Sequence, residues 1–242
     1  MTIGTLYGIS VGPGDPELIT IKGLKLLQKS PVVAFPSGVN GKPGMAQQII
    51  SQWLDSQQIQ LSLEFPYVRD IEILQAAWES AARQVWQYLE TGKNVVFACE
   101  GDISFFSTFT YLSQTLQKIY PQVQIELIPG VCSPMAAASL LKLPLTIRKE
   151  KLVILPAVYS VSELETALDF ADVVVLMKIN SVYKQVWQVL QQRNLLHKSQ
   201  VLEKVSLPDM RIYSDLSDRF DLQLPYFSLL IVQVRPRDYE NS

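Results

Sequence analysis

Three short segments gather the residue types that could do chemistry. The first is Gly8-Ile9-Ser10-Val11-Gly12-Pro13-Gly14-Asp15-Pro16-Glu17, a glycine- and proline-rich run closed by acids. The second is Ala98-Cys99-Glu100-Gly101-Asp102-Ile103-Ser104, and the third is Ile128-Pro129-Gly130-Val131-Cys132-Ser133-Pro134-Met135, which leads into Ala136–Ala138. Glycines let a backbone approach a ligand closely. The first run nevertheless spells neither a dinucleotide fingerprint nor a Gly-Lys-Ser/Thr phosphate loop. Its acids complement a helix N-terminus and would repel phosphate, and Pro16 removes one N–H donor. Asp15 as N-cap with Pro16 behind it is also an ordinary helix start, so the run suits a tight turn as well as a ligand contact. In the second segment an acid could accept from a ribose hydroxyl or face a cation; it could also cap the next helix. In the third, small residues that open a helix let a flat ring lie on the backbone, or let helices pack closely.

Each segment follows an apolar run with strand character. Strands are expected at Leu6–Val11, Val32–Phe35, Gln60–Phe65, Val95–Cys99 and Gln124–Ile128. Helical patterns lie between them, at Glu17–Gln28, Met45–Leu54, Asp70–Glu90 and Phe106–Ile119. Alternation of this kind predicts a parallel sheet wrapped by helices. Ligands of such sheets bind outside the carboxyl ends of the strands, where strand order reverses. All three segments sit at such ends, which points to a ligand crevice roofed by a second domain. In the second half, strands are expected at Leu152–Leu155, Val173–Met177, Val201–Val205, Arg211–Leu216 and Phe227–Val234, with a helix at Ser181–Arg193. The last three strands come in quick succession, so this sheet is expected to contain antiparallel pairs. The fold class is therefore α/β, in two α/β domains: residues 1–144 with the glycine-rich loop and a parallel sheet, and residues 145–242 with a mixed sheet, the boundary falling in KLPLTIRKEK.

The bulk numbers bound the partners. The 242 residues are 48% hydrophobic and 18% charged, which is globular rather than disordered. A net charge of −2 gives no global field for nucleic acid or an anionic membrane. Cys99 and Cys132 have no partner at metal-ligand spacing, so no metal site is expected. The start MTIGTLYGISVG has no leader character, and no apolar stretch approaches bilayer length, so a cytoplasmic location is expected.

In order along the chain, VGPGDPELITIKG, EGD with Ser and aromatics behind it, IPGVCSPMAAAS, VVVLMK and PYFSLLIV resemble the tetrapyrrole (corrin/porphyrin) methylases over nearly the whole chain. FPYVRD, GKNVVFACEGDISFFSTFTYL and LVILPA resemble the subgroup that methylates meso carbon C20 of precorrin-2, with or without cobalt, on the way to cobalamin. Ile103 stands where the family usually has Pro, and Glu100, Arg148 and Lys149 are further departures.

The resemblance implies a methyltransferase that holds S-adenosylmethionine in a cleft between the domains, as a homodimer. It implies cofactor contacts at Pro13, Glu100, Gly101, Asp102, Phe105, Cys132, Ser133 and Met177. The reaction would be direct displacement at a sulfonium methyl, which chiefly requires alignment. Asp102 is the first candidate for the proton acceptor, ahead of Tyr7, Glu100 and Tyr111. Arg69, Arg148, Lys149, Lys178 and Arg211, and less so Lys22, are candidates for the substrate's carboxylates; Tyr67, Phe105, Phe106 and Tyr159 are candidates to face the macrocycle. Most such side chains on any protein are surface or core. The sole histidine, His197, reads as a loop residue. Open alternatives are another tetrapyrrole methylase of different regiochemistry, a nucleotide-dependent oxidoreductase, which would need a fingerprint absent here, and a non-catalytic cofactor-binding module.

Overall fold

Val95–Cys99 shows how this chain builds its first sheet. Val95, Phe97 and Cys99 pack into one apolar cluster while Val96 and Ala98 pack into another, so both faces of this strand are buried. That is the pattern of a strand inside a parallel sheet covered on both sides. The structure is a computed structural model that describes residues 2–38, 42–156 and 161–237. Tyr159 lies outside the described residues.

The chain divides into two compact units, Met1–Cys132 and Ser133–Ser242. In the first, β1 (Thr5–Ser10), β2 (Val32–Pro36), β3 (Ile59–Leu63), β4 (Val95–Cys99) and β5 (Gln124–Ile128) form a wholly parallel sheet in the order β3-β2-β4-β1-β5. Helices α1 (Ile21–Lys29) and α2 (Met45–Ile50) bury Leu27, Ala46, Ile49 and Ile50 on the face of Ile9, Val33 and Val96. Helices α3 (Ile71–Leu89) and α4 (Phe109–Ile119) bury Ala81, Val85, Leu112 and Leu116 on the face of Leu6, Val32 and Phe97. The ring of Phe109 lies on β1 at Gly8, where an added Cβ would stand 2.6 Å from it. Neighbouring strands β1 and β4 thus send their helices to opposite faces. Their carboxyl ends are the switch point of the sheet, where a doubly wound fold opens its crevice.

Two helices, α1 and α4, start three or four residues later than their sequence patterns predict. Asp15 caps only a 3-10 turn, Pro16–Leu18, and the chain restarts as α1 behind Thr20, whose hydroxyl accepts from Gly23 N–H. Ile21, now the first residue of α1, is exposed. Helix α4 begins at Phe109 rather than Phe106, because Phe106 takes a left-handed backbone conformation (φ 52°) that a helix cannot include.

The second unit opens with α5 (Ser133–Leu140) and carries β6 (Leu152–Leu155), α6 (Val161–Phe170), β7 (Val173–Met177), α7 (Tyr183–Gln192), β8 (Ser199–Glu203), β9 (Arg211–Ser214) and β10 (Ser228–Gln233). Its sheet, in the order β6-β7-β10-β8-β9, pairs β6 with β7 in parallel and every other neighbour antiparallel. It is the mixed sheet that the closely spaced last strands predict. Helices α6 and α7 cover Val174, Leu176, Val201, Leu230 and Val232. Within that cluster the polar tips of two aromatics are satisfied: Trp187 Nε1 donates to Leu216 O at 2.7 Å, and Tyr183 OH donates to Arg219 O at 2.8 Å.

Candidate active site

At the switch point the loops after β1 and β4 are bonded directly to each other. Gly101 N–H donates to Gly12 O at 2.7 Å, Gly12 N–H donates to Gly101 O at 3.3 Å, and Val11 N–H donates to Cys99 O at 2.9 Å. Both glycines have positive φ, 78° at Gly12 and 67° at Gly101, in the region that side chains disfavour. The positive φ is what favours glycine at both turns, and at Gly12 an added Cβ would also stand 2.9 Å from Leu18 Cβ.

The loop after β5 joins through two side chains. Ser10, fully buried at the end of β1, accepts from Ile103 N–H at 2.8 Å and donates to Ile128 O at 2.8 Å. Its one hydroxyl proton goes to that carbonyl; Asp102 Oδ2 lies 3.5 Å away. Asp102 Oδ2 accepts from Gly130 N–H at 2.7 Å, while Oδ1 accepts from Ser104 N–H at 2.9 Å and from Ser104 Oγ at 2.5 Å. Gly130 must be glycine, since a Cβ there would stand 2.4 Å from Ser10 Cβ. Ser10 and Asp102 therefore stitch the carboxyl ends of β1, β4 and β5 into one rigid edge.

This network sets the charge on Asp102. Partial burial pushes its carboxyl up. Hydrogen bonds from Ser104 Oγ, Gly130 N–H and Ser104 N–H outweigh that and hold it below the usual aspartate range. Asp102 is thus an anion at neutral pH with both oxygens engaged. It is a clasp before it is a base.

Of the cofactor contacts expected from sequence, Pro13, Glu100, Gly101, Asp102, Phe105 and Cys132 all belong to this edge. Phe105 N–H donates to Asp102 O at 3.1 Å, and Cys132 Cα lies 4.0 Å from where a Gly101 Cβ would point. Ser133 begins α5 and Met177 ends β7, both in the second unit and both half-buried. Among the other candidates, Tyr7 packs partly buried against the α1–α2 face, Tyr111 stacks on Trp78, and Lys22 pairs with Glu126 at 2.5 Å. Lys178 lies 5.3 Å from the Tyr226 ring centre. Sequence reasoning missed Ser10. Its only signal was a polar residue ending an otherwise apolar strand, and its partners lie 93 and 118 positions away.

The donor set decides what kind of ligand fits. Residues 11–15, 100–104 and 129–132 contain Asp15, Glu100 and Asp102 but no Lys or Arg. An edge with fixed negative charge and close backbone repels phosphate and suits a cationic ligand with a flat neutral ring, as a sulfonium nucleoside is. Among the described residues no cluster of His, Cys, Asp and Glu could hold a metal ion. No helix of the described residues is long and apolar enough to cross a membrane.

Known proteins resemble this chain in sequence and fold. The family model described as Tetrapyrrole (Corrin/Porphyrin) Methylases matches residues 5–219. A cobalt-precorrin-2 C(20)-methyltransferase of Salmonella typhimurium is 32% identical over 230 residues, covering 95% of this chain and 96% of that protein. A precorrin-2 C(20)-methyltransferase of Sinorhizobium sp is 27% identical over 238 residues, covering 95% of each. The X-ray structure of cobalt precorrin-4 methyltransferase, a cobalamin biosynthetic enzyme, superposes with a TM-score of 0.72 at 24% identity over 96% of each chain.

Proposed function

The chain belongs to the tetrapyrrole (corrin/porphyrin) methylases, and from that premise we propose that it transfers a methyl group from S-adenosylmethionine to C20 of precorrin-2 or its cobalt form, in cobalamin biosynthesis. The observation that carries the regiochemistry is the match to C20-methyltransferases along 95% of the chain, from the glycine loop to the last strand. The rigid acidic edge supports the cofactor. S-adenosylmethionine supplies an electrophilic methyl on a cationic sulfur. Pro13, the backbone of Glu100–Asp102, Phe105 and Cys132, with Ser133 and Met177 of the second unit, are the residues that would hold it. The reading includes a cleft between domains 1–144 and 145–242, and a homodimer working in the cytoplasm, both on the family resemblance.

The chain's own contribution is alignment. Stitching three loops together before the ligand arrives removes the entropy of ordering them on binding, and holds the reacting groups at a fixed distance. Asp102 is one of the three acids at this edge, and its first task is to fix Gly130 and Ser104.

Asp102→Asn separates its two possible roles. Each carboxylate oxygen accepts an N–H, and an amide has only one oxygen, so its NH2 would face a donor. The expected result is weaker S-adenosylhomocysteine binding by calorimetry together with lost stability of about 1–3 kcal/mol. Unchanged binding and stability with lost turnover would instead make Asp102 the proton acceptor. Full turnover with normal affinity would remove it from the site altogether.

A further inference from the structure

The first unit exposes a run of large apolar side chains that its own core does not use. Tyr67 is 69% exposed, Ile71 55% and Ile73 50%, and Val68 between them is exposed as well. They occupy the segment after β3 and the first turn of α3. Scattered surface apolar residues need no explanation, whereas four within seven positions form a patch. The patch also projects. Helices α3 and α4 both run back from the carboxyl edge of the sheet, and Trp78 of α3 stacks on Tyr111 of α4, with ring centres 4.5 Å apart and planes within 5°. Ile71 lies seven positions before that contact and Phe109, the first residue of α4, only two. At 1.5 Å per residue, α3 overhangs α4 by about 7 Å on the side of the ligand crevice.

The overhang lies at the same end of the sheet as the acidic edge. Asp102 leads through Phe105 to Phe106, whose rings lie 4.5 Å apart, and from there the chain enters α4 and reaches Tyr111. Phe106 is 46% exposed and held at φ 52°, a left-handed conformation that is costly for a bulky residue. A buried aromatic could recover such a cost by packing; an exposed one displays its ring instead.

We infer that the overhang of Tyr67, Val68, Ile71 and Ile73, with Phe106 and the Tyr111–Trp78 stack, is a substrate-specificity surface that takes the apolar face of the reduced tetrapyrrole. The inference rests on the function proposed above. A large ring with its carboxylates at the periphery presents two apolar faces, and the patch offers aliphatic and aromatic groups to one of them. The segment also carries Arg69 among the acids Glu64, Asp70 and Glu72, so its contribution is apolar contact with the ring rather than a cluster of cations for the carboxylates.

The test is the double variant Ile71→Gln/Ile73→Gln, with Ile71→Leu/Ile73→Leu as its conservative partner. Both sites are exposed in the first turn of a helix, where Gln and Leu are good helix formers, so the fold should hold. Precorrin-2 binding in the presence of S-adenosylhomocysteine is followed anaerobically by tryptophan quenching, and S-adenosylhomocysteine affinity by calorimetry. The expected result is a precorrin-2 Kd at least tenfold weaker in the Gln variant, wild-type in the Leu variant, with S-adenosylhomocysteine affinity within twofold throughout. Precorrin-2 affinity unchanged in the Gln variant overturns this inference alone, because the wild type still binds both ligands. Loss of S-adenosylhomocysteine affinity in the Gln variant overturns it by placing these residues at the cofactor. A wild type that binds S-adenosylhomocysteine but no precorrin-2 overturns the parent reading, and this one falls with it.

Discussion

Replacing Ser10 by alanine removes one oxygen atom and should loosen three loops at once. The hydroxyl is fully buried; it accepts from Ile103 N–H and donates to Ile128 O, each at 2.8 Å. Alanine keeps the Cβ against which Gly130 packs, so no cavity of consequence forms. What is lost is the partner of two buried backbone groups. Leaving a buried polar group unsatisfied costs about 1–3 kcal/mol, so the pair should cost about 2–6 kcal/mol. For a chain of this size each kcal/mol lowers Tm by about 2–4 °C, which gives a fall of about 4–24 °C. The same change frees the loop of Ile103 from the end of β1, so S-adenosylhomocysteine affinity should fall with stability. Urea denaturation and calorimetry on the purified variant read the two effects separately. A stability loss below about 0.5 kcal/mol with unchanged affinity would refute the reasoning, because it would mean the two backbone groups find other partners and the loops do not depend on Ser10.

Two further outcomes follow from the same structure. Gly130→Ala should be worse than Ser10→Ala, since its Cβ collides with Ser10 Cβ rather than merely losing a bond; pairing it with Ser10→Gly, which removes that Cβ, should recover part of the loss in urea melts. If the double variant is no better than Gly130→Ala, the steric account fails. Burial pushes the Tyr183 hydroxyl up to about 12, and its proton is donated to Arg219 O. A folded-state pKa above the unfolded value of about 10 means that its contribution is complete below pH 10 and is lost as pH rises toward 12. The stability difference between wild type and Tyr183→Phe should therefore shrink over that window; a difference independent of pH would contradict it.

Much of this architecture was legible because many of its strands are short, mostly apolar runs. Val95–Cys99, Gln124–Ile128, Leu152–Leu155 and Val173–Met177 have the same ends in sequence and structure. The start of α1 was not legible, because Asp15 and Pro16 begin a 3-10 turn with the same cap that begins a helix, and only Thr20 decides where α1 starts. Helix α6 was missed, since its buried stripe is only Leu164, Ala167 and Leu168. The three loops of the candidate site stood out by composition, yet what binds them did not. Ser10 and Asp102 act across separations of 93, 118 and 28 positions, and periodicity says nothing about contacts of that range. The αL backbone at Phe106 was equally hidden, for phenylalanine gives no sign of left-handed φ.

The central claim is methyl transfer to C20, and the direct measurement is mass spectrometry of anaerobic precorrin-2 incubated with the protein and methyl-labelled S-adenosylmethionine, alongside the cobalt form. The account predicts one added labelled methyl, placed at C20 by NMR, with the faster of the two substrates telling whether cobalt enters before or after this step. No labelled methyl on either form, from protein shown to bind S-adenosylhomocysteine, or a methyl at another carbon, would contradict it.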